Sequence, residues 1–347
     1  MRILTVSLLM LGLVLPALAA DDLPINVYPA PRADVAPVLD GKLDDALWQQ
    51  APLVSGFTLF GTDTLADVQS SFRLLWDDKY LYLGIRNDEP NMARLVPVLH
   101  AHDEHAVFST ETIEFFLDPN HSHEAYYQLA FNAAGSLYDG FREDTSWNSG
   151  ATVKAYRDAD FWSVEIAVPW KPMDGKPAAG KVVGFNVNRD RHLGVDKQWC
   201  TWAKVQNGFH DPERFAHAVL SGTPEQIGKL QKEIRKGDRT GPIMVYSHEG
   251  FAKDSYTGLA AASLAQLQKL LTDLRAEQKR EKDPGASAEL DKRLAEFEQL
   301  VGTYQQRAAG KLDAAEWIRL DRDMQQAVAS LQRVVSEARL TALLQSI

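Results

Sequence analysis

The sequence predicts a mainly β protein: a two-sheet antiparallel β-sandwich of jelly-roll type, followed by a C-terminal α-helical bundle. Three observations predict it. Between about residues 37 and 220, short runs alternate with period two, so each strand has an apolar side and a polar side. Clusters of Gly, Asp and Asn separate the runs, as at Asn132-Ala133-Ala134-Gly135, and many short strands so spaced suit two packed sheets. After Gly222 the apolar period becomes helical.

The elements follow in chain order. Arg2, the apolar run from Ile3 to Leu15 and the small residues of Ala17-Leu18-Ala19 have the form of a signal peptide over residues 1–20. The run is shorter than the roughly 20 residues that span a bilayer. Cleavage is therefore expected, with export to the periplasm or beyond and no membrane span left. A short helix is expected over Leu43 to Gln50, where Leu43, Leu47 and Trp48 share a face. Phe72 to Asp77 and Tyr80 to Arg86 form a hairpin turning at Asp78-Lys79. Thr112 to Asp118 is a strand with a carboxylate, Glu114, inside an apolar run. An unpaired buried charge is costly, so Glu114 either pairs inside the fold with Arg86 or Arg189, or faces a ligand in a groove. Tyr127, Leu129 and Phe131 oppose Gln128, Ala130 and Asn132 along the next strand. Trp162, Val164, Ile166 and Val168 make another apolar face, and Val183, Phe185 and Val187 leave Asn186 and Asn188 on their second face.

Thr223-Pro224-Glu225-Gln226 has the form of a capping box with proline at the first helical position, opening a helix to about Arg235. Gly237, Gly241, Pro242 and Gly250 mark a linker. Three helical stripes follow: Leu264, Leu267, Leu270, Leu271 and Leu274; then Leu294, Phe297, Leu300, Val301 and Tyr304; then Trp317, Leu320, Met324, Val328, Leu331, Val335 and Leu343. They break at Asp283-Pro284-Gly285 and near Gly310. Short connections make neighbouring helices antiparallel, so a three-helix bundle is expected. The expected organisation is a sandwich over residues 25–221, a helix and linker over 222–256, and a bundle over 257–347. The bundle is read as a self-contained core, with docking of a protein partner as the alternative.

A net charge of −10 with no basic stripe argues against nucleic acid. Cys200 is the only cysteine, which excludes an intramolecular disulfide and a Cys-x-x-Cys-His haem attachment. No nucleophile elbow, phosphate loop or zinc-helix motif is present. Glycoside hydrolysis needs two carboxylates roughly 5–10 Å apart across the bond. Glu111 and Glu114, three apart, project to opposite faces of one strand. A non-catalytic protein is expected, with hydrolysis of O-glycosyl bonds as an alternative.

Five segments in order carry a resemblance: Pro37 to Trp48 (PVLDGKLDDALW), Leu74 to Leu83 (LLWDDKYLYL), Thr112 to Asp118 (TIEFFLD), Gly184 to Arg189 (GFNVNR) and Gly208 to Phe215 (GFHDPERF). Together they resemble the family 9 carbohydrate-binding module and its wider set of exported domains. That resemblance implies a glycan clasped between two aromatic side chains and bonded by a carboxylate and amides. Glu114 takes the carboxylate position, Phe108 the first aromatic position and Phe209 the second. Glu111 stands where the family has an aspartate, and Ala130 stands where sugar-binding members have an arginine two residues after Gln128. The site so implied comprises Phe108, Glu111, Glu114, Gln128, Asn132, Asn188, Arg189, Trp202 and Phe209, with Trp147 and Trp199 as further platforms. The expected partner is a polysaccharide or oligosaccharide, in an accessory role in polysaccharide breakdown. No cofactor is required, although the resemblance implies a calcium ion with Asp40, Asp118 and Asn120 as oxygen ligands. Related sandwich domains that hold b-type haem supply an electron-transfer alternative, with Met92 and either His100 or His210 as axial ligands. Finally, His100, His102 and His105, then His121 and His123, contain His-x-His pairs that share a face in extended backbone and suit a metal; polar loop histidines are the simpler reading adopted here.

Overall fold

Apolar side chains at every second position oblige two sheets to bury their faces against each other. The computed structural model describes residues 23–235, 239–248, 250–251, 254–312 and 314–345. The expected signal segment 1–20 and Gly237 lie outside them. Strands β1 (Ile25–Ala30), β2 (Thr58–Leu59), β3 (Ser70–Trp76), β4 (Tyr80–Asp88), β5 (Thr112–Asp118), β6 (Tyr127–Asn132), β7 (Leu137–Phe141) and β8 (Thr152–Arg157) come first. They are followed by β9 (Phe161–Pro169), β10 (Val182–Arg191), β11 (Gln198–Thr201), β12 (Ala216–Leu220), β13 (Ile243–Val245), β14 (Gly250–Phe251) and β15 (Asp254–Ser255). The larger sheet runs β13-β1-β12-β10-β5-β6-β7, with β11 and β2 continuing from β10; the smaller runs β3-β4-β9-β8. Nearly all pairings are antiparallel, and β1 pairs in parallel with β12 and β13. The fold is the predicted sandwich with C-terminal helices.

Residues opposite one another in register share a face. Ile113, Phe115 and Leu117 of β5 therefore line up with Val187, Phe185 and Phe131 or Leu129 of their neighbours and pack inward against Phe72, Leu74, Leu83, Trp162 and Ile166 of the other sheet. The outer face of the larger sheet carries the polar set: Asn186, Asn188 and Asp190 from β10, Glu114 from β5 and Gln128 from β6.

Three local readings need correction. The helix expected over Leu43 to Gln50 is a 3-10 turn, Ala46–Gln50. Its entry is governed by a buried carboxylate: Glu165 accepts the backbone N–H of Asp40 and of Gly41 at 2.7 Å and the indole N–H of Trp48 at 2.8 Å. Those three bonds draw the opening motif onto the smaller sheet and leave no room for a longer helix. The capping box at Thr223 and Gln226 forms as read, but its helix divides at Leu230 into α1 (Pro224–Lys229) and α2 (Gln231–Ile234). The break lets Ile227 and Ile234 both cover Ile25, Val27 and Val219. The supposed linker contains β13, whose Ile243, Met244 and Val245 pair in parallel with Ile25, Asn26 and Val27. Three residues are too few for a periodic signal.

Helices α3 (Tyr256–Arg280), α4 (Pro284–Ala308) and α5 (Ala314–Gln345) share a core that includes Leu267, Leu274, Leu320, Met324 and Leu331. The bundle also reaches the sandwich. Ile318 of α5 joins the sandwich core, Arg322 donates to the carbonyl of Gly56 and to the Tyr246 hydroxyl, and Gln326 donates to the Asp63 carbonyl at 2.7 Å. Among the described residues, no helix is long and apolar enough to cross a membrane.

Candidate functional site

On the outer face of the larger sheet lies a groove of about 470 Å³, within the size range of small-ligand sites. Its floor is made by register. Glu114 sits opposite Ala130, which sits opposite Tyr138, while Asp190 sits opposite Trp199. Gln128, one row further on, donates its amide N–H to Glu114 Oε2 at 2.5 Å. Phe108 enters from the 3-10 helix His105–Ser109, its ring edge-on to Tyr138 at 4.9 Å and tilted against His105 at 5.1 Å. Trp199 is 52% exposed, a large value for an indole. Glu143 and His210 complete the lining, the latter with Nδ1 2.8 Å from the Tyr126 hydroxyl.

Electrostatics set this groove apart. Glu114 and Asp190 lie within hydrogen-bonding reach of each other, and among the described residues no lysine or arginine lines the groove. Burial first, and the Asp190 charge second, hold Glu114 well above the usual carboxyl range. Burial likewise pushes Asp190 up to about 7, with the Glu111 charge adding to it and the Glu114 bond opposing it. Two like charges so close do not both ionise, so near neutral pH the pair shares a proton. The pair then both donates and accepts, and neighbouring hydroxyls require both roles. The position where the resemblance leads one to expect an arginine is Ala130, directly across the strand from Glu114. Among the described residues of the lining, no lysine or arginine therefore offsets the acids.

Of the residues read from sequence, the structure brings Phe108, Glu114, Gln128 and Trp199 together in the groove. Asn188 lies beside Glu114 in the sheet but is wholly buried, its Oδ1 accepting from Asn186. Asn132 is buried too, donating to the Val98 carbonyl and the Thr110 hydroxyl. Phe209 packs edge-on to Phe60 at 5.6 Å, in a cluster under the loop, and its neighbour His210 takes the groove position. Three expected residues belong to the interior instead. Arg189 points inward and bonds Glu89 at 3.1 Å and Glu111 at 3.2 Å, and Glu111 also accepts the backbone N–H of His192 and Leu193. Trp202 stacks on Phe185 at 5.5 Å in the sandwich core. A buried guanidinium needs paired carboxylates, which is why Arg189 draws Glu111 away from the surface. Arg86, the other cation considered for Glu114, pairs with Asp88 and Asp160.

The remaining candidates occupy other places. Trp147 lies tilted against Tyr127 at 4.6 Å and donates to the Pro172 carbonyl. Asp40 pairs with Lys42 beside the smaller sheet, Asp118 ends β5 of the larger sheet and accepts the His123 N–H at 2.7 Å, and Asn120 is exposed. The structure thus gives Asp40 and Asp118 separate partners. Met92 packs against the sandwich core, and the His100 backbone N–H bonds Ser136. Asp190 and Tyr138 were missed. Extending the Asn186, Asn188 alternation by one step would have found Asp190; Tyr138 stands on a strand too irregular in pattern to read.

Residues 39–223 match the family model described as carbohydrate family 9 binding domain-like. Endo-1,4-beta-xylanase A of Thermoanaerobacterium saccharolyticum is 24% identical over 240 residues, covering 66% of this chain and 18% of that protein. Exoglucanase XynX of Acetivibrio thermocellus is 26% identical over 211 residues, covering 58% of this chain and 18% of its own. The chain thus spans less than a fifth of the length of these relatives. A family 9 carbohydrate-binding module from Caldicellulosiruptor kristjanssonii, solved in complex with cellotriose, is similar over 58% of this chain and 94% of its own, at 19% identity and a TM-score of 0.43. The structure of a protein from Bacteroides uniformis is similar at 15% identity with the same TM-score, over 57% of this chain and 98% of its own.

Proposed function

The chain belongs to the carbohydrate family 9 binding domain-like family, and on that premise we propose that it is an exported, non-catalytic protein that holds a neutral glycan in the outer-face groove. The observation that carries this reading is an exposed tryptophan beside a proton-sharing carboxyl pair. Sugar rings have apolar faces that suit an indole, and hydroxyls that need donors and acceptors together. Trp199 and Phe108 supply the aromatic walls, and Glu114, Asp190 and Gln128 bond the hydroxyls. Acidic lining without a cation disfavours uronic-acid and sulfated glycans by charge repulsion. Glu114 and Asp190 are nearer to each other than the roughly 5–10 Å spacing of glycosidases, so that pair suits binding rather than hydrolysis.

A fluorescence titration of the full chain against soluble glucans, xylans and polyuronides tests this. Saturable quenching is expected with a neutral glycan and absent with polyuronides. Trp199→Ala should weaken binding by about tenfold or more, equivalent to ~1.4 kcal/mol. Phe209→Ala, off the groove, should change it little. Unchanged affinity in Trp199→Ala would remove the groove from consideration.

A further inference from the structure

Away from the groove, three buried imidazoles converge. His121 and His123 follow β5, and His217 stands in β12 in the same cross-sheet row as Asp118 and Gly184. His121 Nε2 lies 2.9 Å from His217 Nδ1 and 3.0 Å from His123 Nε2. The three residues are only 3%, 7% and 1% exposed. His121 and His123 are loop histidines, as expected from the sequence, but buried ones that meet a third imidazole from a strand. His121 and His123 both hold positive φ, 51° and 66°. Left-handed backbone is uncommon in non-glycine residues and is retained where its surroundings enforce it. Here the Asp118 carboxylate fixes the loop by accepting the His123 N–H at 2.7 Å and the Ser122 hydroxyl.

Counting protons shows what the cluster wants. A neutral imidazole offers one N–H and one lone pair. His121 Nδ1 faces the Glu233 carboxylate at 3.0 Å, so its proton belongs there and Nε2 presents a lone pair. That single lone pair meets two further ring nitrogens, and it can serve only one of them with good geometry. A cation at the centre would accept a lone pair from each ring. Metal–nitrogen bonds of about 2.0–2.1 Å in a tetrahedral site set the nitrogens roughly 3.3 Å apart, a few tenths beyond the present contacts. A carboxylate on the far nitrogen of a ligating histidine is the usual orienting partner.

We propose that His121, His123 and His217 bind a divalent transition-metal ion of the zinc class, with Glu233 orienting His121. Three imidazoles suit zinc and its neighbours rather than calcium, which takes oxygen ligands. The ion would tie the loop after β5 and helix α2 to β12, so it would stiffen the joint between the sandwich and the C-terminal segment.

The full chain, stripped with a chelator, is titrated with cobalt(II) and then zinc. The expected result is one cobalt per chain with the strong visible bands of tetrahedral coordination, displaced by zinc, and a Tm raised by several degrees with zinc bound. His217→Gln and, separately, His123→Gln should each abolish the bands. His217 is inside a sheet, so the loop variant, checked for native circular dichroism, keeps the test valid if the first unfolds. A folded wild-type chain that binds no cobalt would overturn the proposal. Bands surviving in folded His123→Gln would overturn it too, placing the metal elsewhere, for instance at His102, Asp103 and Asp139, whose ligand atoms also cluster.

Discussion

Individual residues decide the character of the groove. Glu114 and Asp190 take up a proton on folding that the unfolded chain, with carboxyls near 4, would release. Asp190 is raised to about 7, so its contribution is fully present below about pH 4 and is lost as pH rises through 7. Melting temperature should therefore fall between about pH 4 and 7 through this pair, and Asp190→Asn should flatten that slope. An undiminished slope in the variant would mean that Asp190 does not carry the pH dependence. Gly41 makes a second residue-scale case. Its φ is +89°, and a Cβ there would meet the Ala155 carbonyl carbon at 2.6 Å. Gly41→Ala combines strain with a backbone clash, so urea unfolding should show a loss of about 2 kcal/mol or more.

At the level of elements, the boundary after the sandwich is the informative one. Thr223 accepts the Gln226 N–H and Gln226 returns the bond, a complete capping box on a helix of six residues. Thr223→Ala should cost about 1 kcal/mol, measured by denaturant midpoint at constant slope. This cap, the period-two strands and the three helical stripes were legible because each depends on neighbours close in sequence. The 3-10 turn at Ala46–Gln50 and the strand β13 were not. One depends on Glu165, whose contacts lie more than 100 residues away, and the other on pairing with β1.

For the molecule as a whole, the helices and the sandwich meet through side chains of α5. Arg322 reaches Gly56 and Tyr246, Arg319 lies 3.5 Å from Asp88, and Ile318 enters the sandwich core. The segment between them finishes the larger sheet: β13 pairs with β1, and Ile227 and Ile234 cover its outer face. A chain cut after residue 222 would leave the β1 edge and Ile25, Val27 and Val219 bare. It should aggregate on size-exclusion chromatography, while one cut after residue 248 should remain soluble for longer. Equal behaviour of the two would show that the larger sheet is complete without β13.

Sandwich, bundle and the family motifs are written in local periods, turn residues and caps, so they could be read along the chain. Glu114 as a groove carboxylate was legible for the same reason, a charge at an outward position of an apolar strand. The partners of the buried charges were not. Arg189 finds Glu111 and Glu89 at separations of 78 and 100 residues, and Asp190 finds Glu114 only because β10 and β5 pair in that register. His217 lies 96 residues from His121. A low-dielectric interior makes each such pairing energetically decisive, yet nothing local in sequence encodes it; it arises only when distant strands have taken their places.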